Sequence, residues 1–475
     1  MPGPPTYAEL AAENAQLRVL VAEQTKLIEA LRAEVAELRA RLGQSPRNSH
    51  KPPSSEGYEK PAPKARRQHT DRKSGGQNGH EGRTLRQAKI PDEVIEHAPQ
   101  SCGGCGKSLA KAPVVSTEVR QVFDLPPIAL HVVEHRLQHR ECSCGQVSMA
   151  TAPVGAPVQY GPGVRGLATY LLAGQYLPLA RTAELLTELL GASISQGSLA
   201  TWYATAGADL EDFDDTLRKA LSQAPVLGAD ETGIRVDGAL AWVHTTRTDL
   251  LTRYTVSTRR GVEAMKEAGV LPALAPETVL VTDFWSPYWH FDVRHALCGA
   301  HLGRELVAAA EVSGQQDWAN GLDRLLLEIN STAGRTRDFG ANGFAGSLLD
   351  TYRHRYNEFI KAGWAANTEY HPGRRGKGKR PRHVNLLNRL DTHRQEVLRF
   401  AADLTIPFTN NGSEQDLRPL KIRMKIAGCL RTMAGAETFV RLRSYLSTAR
   451  KQGQSTHAAM RILHAGTPWT PAITG

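Results

Sequence analysis

Three acidic residues stand far apart in this 475-residue chain, each inside a run of distinctive composition. Asp230 lies in VLGADETGIRV, Asp283 in TVLVTDFWSPYW and Glu414 in TNNGSEQDLRPLKIRMK. Carboxylates are hard oxygen ligands, and Mg²⁺ keeps several waters when bound, so two or three of them with a substrate phosphate complete its shell. Two such ions about 3.5–4 Å apart activate an attacking oxygen and stabilise a leaving one. The chemistry within reach of these residues is therefore phosphoryl transfer with Mg²⁺ or Mn²⁺. Taken singly, an aspartate in such a run more often caps a turn or solvates a strand end. The functional reading needs elements that bring the acids together.

The local patterns supply such elements for two of the three. APVLGADETGIRV, LAWVHTTRT and LLTRYTVST read as three strands joined by short turns, RGVEAMKEAG as a helix, and TVLVTDFW as a buried strand. Three antiparallel strands, a helix and a parallel strand open a ribonuclease H-like fold. That order sets Asp230 on the first strand beside Asp283 at the end of the fourth. Alternation sends Asp230 and Glu231 to opposite faces, so only one of them serves a shared site. Phe284, Trp285, Tyr288 and Trp289 follow Asp283, where they could wall a cleft or stack on bases. Glu414 must come from a later helix: Asn, Gly and Ser suit its start, and Glu414, Arg418 and Lys421 share one helical face. On the residues alone, helix capping with surface pairing explains this glutamate as well.

The 130 residues between Asp283 and Glu414 are too many for a bare connection. HLGRELVAAAEV, WANGLDRLLLEIN and AGSLLDTYRHRYNEFI carry helical periodicity, which predicts a helical insertion at about 300–403. Within it RRGKGKRPR holds six basic residues, Arg374, Arg375, Lys377, Lys379, Arg380 and Arg382, and no acidic one. Such a loop could clamp a DNA backbone or simply be solvated. Cys298 and His301 in CGAHLGREL read as a core thiol and a buried histidine rather than a second zinc site.

A second chemistry lies upstream. Cys102-x2-Cys105-Gly and, after 36 residues, Cys142-x-Cys144-Gly offer four thiolates for a tetrahedral structural zinc, with glycines for the tight turns. The one-residue second spacing is unusual, so His139 or His135 could replace one sulfur. VRQVFDL and ALHVVEHRLQ alternate like strands between the halves, and the whole suits a small zinc-ribbon-like module.

The N-terminus carries a heptad pattern, with Leu10, Leu17, Gln24, Leu31 and Leu38 at d and Asn14, Val21, Ile28, Val35 and Leu42 at a. It predicts a parallel two-stranded coiled coil, with Glu13 facing the partner's Arg18 and Glu34 facing the partner's Arg39. Thr6 and Glu9 form a capping box, and Gly43 stops the helix. Residues 44–90 hold 11 Lys and Arg against 4 Asp and Glu, so they carry +7 of the chain's +10. Their Pro, Gly, Ser and Gln content reads as a disordered arm, either tracking DNA phosphates or separating domains. In LARTAELLTELLGASISQGSLATWYATAG, Gly191 ends one helix and Ser195 caps another, which is helix-turn-helix spacing. The second helix has no Arg or Lys to reach bases, so packing is the favoured reading.

The expected organisation is thus multidomain α+β. It runs as a leucine-zipper coiled coil (1–43), a basic linker (44–98), a zinc-binding module (99–150) and a helical segment (151–222). A ribonuclease H-like core with its insertion (223–430) and a helical tail (431–475) complete it. A pI near 9.3 favours a polyanionic partner. No apolar run of about 20 residues exists and residues 1–43 are charged throughout, so a cytoplasmic protein is expected.

From residue 1 to about residue 455 the chain resembles transposases of the insertion sequence 66 family. The resemblance rests on the leucine-rich start, NSHKPPSS, GGQNGHEG, CGGCG, ADETGIRV, TDFWSPYWHF, HALCGAHLGREL and TNNGSEQDLRPLKIRMKIAG. It implies a ribonuclease H-like fold, an Asp-Asp-Glu catalytic set and cut-and-join DNA transposition. Those roles fall on Asp230, Asp283 and Glu414, and the zinc role on Cys102, Cys105, Cys142 and Cys144. The implied partners are transposon terminal inverted repeats, target DNA, a second copy of the chain and accessory proteins of the same element. Arg418 and Lys421 would hold phosphates of the transposon end. A metal-dependent nuclease without joining activity, and a non-catalytic DNA-binding regulator, are the alternatives.

Overall fold

The computed structural model describes residues 6–42, 84–126, 128–153, 155–370 and 380–473. The leucine repeat forms one helix, α1 (Tyr7–Leu42). Its repeat positions Leu17, Val21, Ile28, Leu31 and Val35 are 44–60% exposed, so none of them is enclosed by the described chain. Most of the basic arm, residues 43–83, lies outside the described residues.

The cysteine-bearing segment contains a short hairpin, β1 (His139–Glu141) and β2 (Val147–Met149), paired antiparallel. The strands expected over residues 119–125 and 129–138 do not form; the described residues there have no ladder partners. Val122, Leu125 and Val132 are 79–90% exposed. Apolar alternation makes a strand only where a second layer buries one face, and so small a module holds too little apolar surface to build that layer.

Four helices follow, α2 (Pro162–Ala173), α3 (Leu179–Leu190), α4 (Gln196–Ala208) and α5 (Glu211–Ser222). Gly191 ends α3 in the left-handed conformation at φ 63°, with its N–H donating to the Thr187 carbonyl at 2.9 Å. Ser195 caps α4, its hydroxyl accepting from the Ser198 N–H at 3.0 Å. Leu199 and Ala206 bury α4 completely along one face, which fits packing better than base reading.

The central sheet comprises β3 (Val226–Val236), β4 (Ala239–Arg247), β5 (Thr252–Ser257), β6 (Val279–Thr282) and β7 (Arg294–Leu297), with α6 (Val262–Ala268) after β5. Its order is β5-β4-β3-β6-β7: β3 pairs antiparallel with β4 and β4 with β5, whereas β6 lies parallel to β3 and β7 parallel to β6. The β3–β4 turn is Asp237-Gly238, both at positive φ, the geometry that matches strand twist in a two-residue hairpin. β7 was not anticipated, because four residues are too few to show a period.

The run of helices after β7 comprises α7 (Gly299–Ala310), α8 (Gln316–Asp338), α9 (Gly346–Ala365), α10 (Arg382–Thr392) and α11 (Arg394–Ala402). These helices build a core around Trp318, Tyr356, Leu322 and Leu387, onto which Val279, Val281 and Ala296 of the sheet pack. α12 (Asn411–Ala427), α13 (Met433–Lys451) and α14 (Thr456–His464) then return to the sheet. α13 lies along the edge strand β5 and satisfies its open backbone. Ser444 accepts from the Tyr254 N–H at 2.9 Å, and the Thr448 hydroxyl accepts from the Thr252 N–H at 3.1 Å and donates to its carbonyl at 3.2 Å. An edge covered in this way offers no template for pairing with another strand.

Gly299, the first residue of α7, lies under the Phe408 ring: a Cβ there would stand 2.1–2.7 Å from three ring carbons. Glycine in a helix normally loses to alanine by about 1 kcal/mol. Here the sign should reverse, with Gly299→Ala destabilising the fold by about 1–3 kcal/mol through overpacking. Urea denaturation followed by circular dichroism measures the shift.

Candidate active site

Asp230 stands at the middle of β3, the central strand of the sheet, and is paired across the ladder with Thr245 of β4. Its carboxylate accepts from the Glu231 backbone N–H at 2.8 Å. Glu231 turns to the other face, as alternation requires. There its carboxylate, 4% exposed, pairs with Arg260 at 2.7 Å and accepts from the Tyr288 hydroxyl at 2.8 Å. Asp283 follows the last residue of β6, and its carboxylate accepts from the Trp285 N–H at 2.9 Å, a local turn that aims the side chain.

Glu414 arrives on the first turn of α12, where the helix dipole favours a negative charge. Three contacts seat that turn against the sheet. The Asn410 amide donates to the Ala229 carbonyl at 2.7 Å and its carbonyl oxygen accepts from the Ser413 hydroxyl at 2.6 Å, while the Asn410 N–H donates to the Cys298 thiol at 3.1 Å. Close approach depends on two glycines. A Cβ on Gly228 of β3 would stand 2.8 Å from the Ser413 hydroxyl, and one on Gly412 would stand 2.3 Å from the Arg247 guanidinium.

Burial pushes the Asp230 carboxyl well above the ordinary carboxylate range. Glu231, Asp283 and Glu414 raise it further through their negative charge, and the Glu231 N–H offsets part of the rise. Asp230 therefore feels the charge of both other acids, despite their distance in sequence. Glu414 has His301 at 3.7 Å and Arg304 at 3.6 Å, both from α7. Among the described residues no three His, Cys, Asp or Glu side chains are gathered tightly enough to hold a metal ion together. Mg²⁺ does not require such a cluster, because it takes one or two carboxylates and keeps its waters. The donors present, three mutually repelling carboxylates, have the oxygen chemistry that such an ion selects.

The basic residues divide. Arg418 is exposed on α12, one turn beyond Glu414. Lys421 instead faces inward, donating to the Gly233 carbonyl of β3 at 3.0 Å, and burial lowers its pKa. Arg380 is half-buried and Arg382 exposed at the start of α10, whereas Arg374, Arg375, Lys377 and Lys379 lie outside the described residues. The aromatic run is committed to the protein. Tyr288 is buried, Phe284 and Trp289 pack on each other and on His393, and Trp285 covers the Arg260 guanidinium at 4.2 Å. These contacts favour a wall over stacking on bases.

Asp416 escaped the sequence reading. Its carboxylate accepts from Lys451 at 2.8 Å and the Thr252 hydroxyl at 3.1 Å and forms an ion pair with Arg247 at 3.2 Å, and its carbonyl accepts from Tyr254 at 2.6 Å. It ties α12 to α13, β4 and β5 two residues after Glu414. Arg304 was also missed, although its place three residues after His301 puts both on one face of α7.

Each cysteine pair is set by its own turn. The Cys102 N–H donates to the Lys107 carbonyl and Gly106, φ 71°, closes the loop; Cys142 and Gly145, φ 85°, repeat the arrangement. Hydrogen bonds from the Cys105 backbone, the Gly104 backbone and the Cys105 thiol lower the Cys102 pKa, and the Cys144 backbone and thiol do the same for Cys142. Thiolate-favouring turns are what a zinc site asks of its ligands. His135 and His139 join neither pair in a cluster of three among the described residues.

Three known families match segments of the chain. Residues 157–438, which hold all three acids, match the family described as transposase IS66 family. Residues 99–145, which hold the four cysteines, match the zinc-finger binding domain of transposase IS66. Residues 3–86 match a family of unknown function. No curated protein gives a significant match to the chain.

Two outcomes follow from the site. The purified protein should carry one zinc per chain by elemental analysis, and Cys102→Ser or Cys142→Ser should abolish it. For Asp230 the folded pKa lies above the unfolded value of about 3.9, so its ionised form destabilises the metal-free fold. That penalty is absent below the unfolded pKa and grows as pH rises towards the folded one. Metal-free Asp230→Asn should therefore melt above metal-free wild type at pH 7, with the gap closing as pH falls towards 4, as calorimetry can read.

Proposed function

The chain belongs to the transposase IS66 family, and from that premise we propose that it catalyses DNA transposition with Asp230, Asp283 and Glu414 as the carboxylates that hold Mg²⁺ or Mn²⁺. One observation carries this reading: acids from β3, the end of β6 and α12 converge closely enough for Asp283 and Glu414 to raise the pKa of Asp230. The sheet order supports a ribonuclease H-like core, with the first acid on the middle strand and the second at the end of its parallel neighbour.

When bound, the ions supply charge that favours formation of an oxygen nucleophile and stabilises the leaving oxygen. The chain's own residues set the geometry. The Glu231 and Trp285 N–H groups orient the two aspartates, and the Asn410 contacts set how closely Glu414 approaches them. His301 and Arg304 are placed to orient the Glu414 carboxylate. Water would attack the phosphorus at a transposon end and break its bond to the 3′-oxygen, leaving a 3′-hydroxyl on the element and a 5′-phosphate on the flank. That 3′-hydroxyl would then attack a target phosphorus in line at the same site, joining the strands as the target's own 3′-oxygen leaves.

DNA would reach these acids past Arg418, with Arg380, Arg382 and the basic residues at 374–379 contributing phosphate contacts. Lys421 acts instead as a brace between α12 and β3. The exposed apolar positions of α1 support pairing with a second copy of the chain as a parallel coiled coil. Among the described residues no helix is long and apolar enough to cross a membrane.

The decisive experiment incubates the protein with a labelled terminal inverted repeat and a plasmid target in Mg²⁺ or Mn²⁺. Cleavage at the end and a joined product are expected. Asp230→Asn, Asp283→Asn and Glu414→Gln should each reduce both by about 10²-fold or more, the scale of losing one electrostatic contact to a developing charge. Hydrolysis without joining would identify a nuclease, and undiminished cellular activity in the three variants would identify a DNA-binding regulator.

A further inference from the structure

Asp230 and Asp283 both lie beyond the part of the sheet that would fix their separation. The β3–β6 ladder pairs Val226 with Val279, Leu227 with Leu280 and Gly228 with Val281, and stops there, two residues short of each aspartate. On its other side β6 pairs with β7 only as far as Thr282 and Leu297. The β3–β6 pairing therefore does not extend to the two aspartates themselves.

On the face of β3 opposite Asp230, a side-chain frame spans that gap. Glu231 accepts from the Tyr288 hydroxyl at 2.8 Å, and Tyr288 belongs to the 3-10 turn Ser286–His290 that follows Asp283. The other carboxylate oxygen of Glu231 accepts from Arg260 at 2.7 and 3.2 Å. The Arg260 guanidinium is sandwiched between Trp242 of β4, at 4.5 Å, and Trp285, at 4.2 Å. Trp285 also donates its backbone N–H to the Asp283 carboxylate at 2.9 Å, and its ring meets that of Tyr288 edge-on. Two routes thus run from Glu231 to Asp283, one through Tyr288 and one through Arg260 and Trp285.

We infer that Glu231 is a positioning residue, which holds the Asp283 segment at the separation from Asp230 that a bound divalent cation requires. The inference rests on the reading of Asp230, Asp283 and Glu414 as a metal site. Stability alone is a weak account of such a group. A buried ion pair is often no more stabilising than an apolar replacement, and its best-attested use is to specify one arrangement among several. Tyr288, buried beside three carboxylates, serves the same arrangement: it is the neutral donor that a buried carboxylate needs.

The test measures Mn²⁺ affinity of the full-length, zinc-loaded protein by titration calorimetry, without DNA. Tyr288→Phe keeps the ring and removes the hydroxyl; Glu231→Ala removes the hub, and Glu231→Gln keeps an acceptor. Tyr356→Phe is the control for loss of a buried hydroxyl, because Tyr356 donates to the Leu390 carbonyl at 2.8 Å within the helical insertion. Tyr288→Phe and Glu231→Ala should weaken Mn²⁺ binding about 10–100-fold, the range for outer-sphere partners. Glu231→Gln should recover part of the loss, and Tyr356→Phe should bind as wild type. Wild-type affinity in Tyr288→Phe, while Asp230→Asn has lost binding, overturns the positioning role alone. Wild-type affinity in Asp230→Asn overturns the metal site itself, and the positioning role with it.

Discussion

A carboxylate at the middle of a five-stranded sheet is the constraint around which the fold is arranged. Asp230 is buried on the central strand and faces two further acids, and both burial and those charges push its pKa up. An apolar residue at that position would suit the sheet better. The neighbouring features make sense only if the charge is kept: Gly228 leaves room for Ser413, Asn410 ties the α12 turn to the Ala229 carbonyl, and the Glu231 N–H serves Asp230 directly. Strain of this kind belongs to sites that await a ligand, where local rules of stability are set aside for function.

The third acid imposes a different demand. More than a hundred residues of helical insertion separate it from the sheet, so its position depends on tertiary contacts rather than on chain connectivity. Leu417 and Leu420 pack on Ile234, Val243 and Tyr254 of the sheet, and polar contacts fix the helix on either side of them. Asn410 fixes one end of α12 and Lys421 braces its middle against Gly233. Asp416 gathers Lys451, Arg247 and Thr252 between them. Burial lowers the Lys451 pKa to about 8 and the Asp416 charge opposes that shift, so each member of the network is tolerable only in the presence of the others. Removing one partner would leave a buried charge, which is far more costly than the pair itself. The helix that carries Glu414 is thereby locked to two strands and to α13.

What could be read from the sequence tracks the range of the interaction concerned. Strand order was legible because β3, β4, β5 and β6 each carry an alternating or apolar run between turn residues, and Gly191 and Ser195 mark helix ends by purely local chemistry. Helical periodicity in the insertion was equally plain. The failures lie where a partner distant in sequence decides the outcome. The apolar alternation at 119–138 found no layer to bury it. Lys421 shares a helical face with Glu414 and Arg418 by spacing, yet the Gly233 carbonyl draws it inward while Arg418 stays exposed. The aromatics after Asp283 were open to base stacking on sequence grounds, but His393, Arg260 and their own neighbours already cover them. Asp416 carries no local signal at all, since its three cationic and hydroxyl partners lie on β4, β5 and α13.

The two metal chemistries of the chain differ in the same respect. Each cysteine pair is shaped by one tight turn, in which a positive-φ glycine and neighbouring N–H groups favour the thiolates before any second pair arrives. Zinc binding to such a module would contribute folding energy directly, because the unfolded chain holds no preformed site. The proposed carboxylate site is the reverse case, since its donors would come from three elements that must already be folded. A short motif is therefore enough to recognise the first. The second is recognisable only through the whole frame of β3, β6 and α12, and that frame extends past the acids themselves to Glu231, Tyr288 and Asn410.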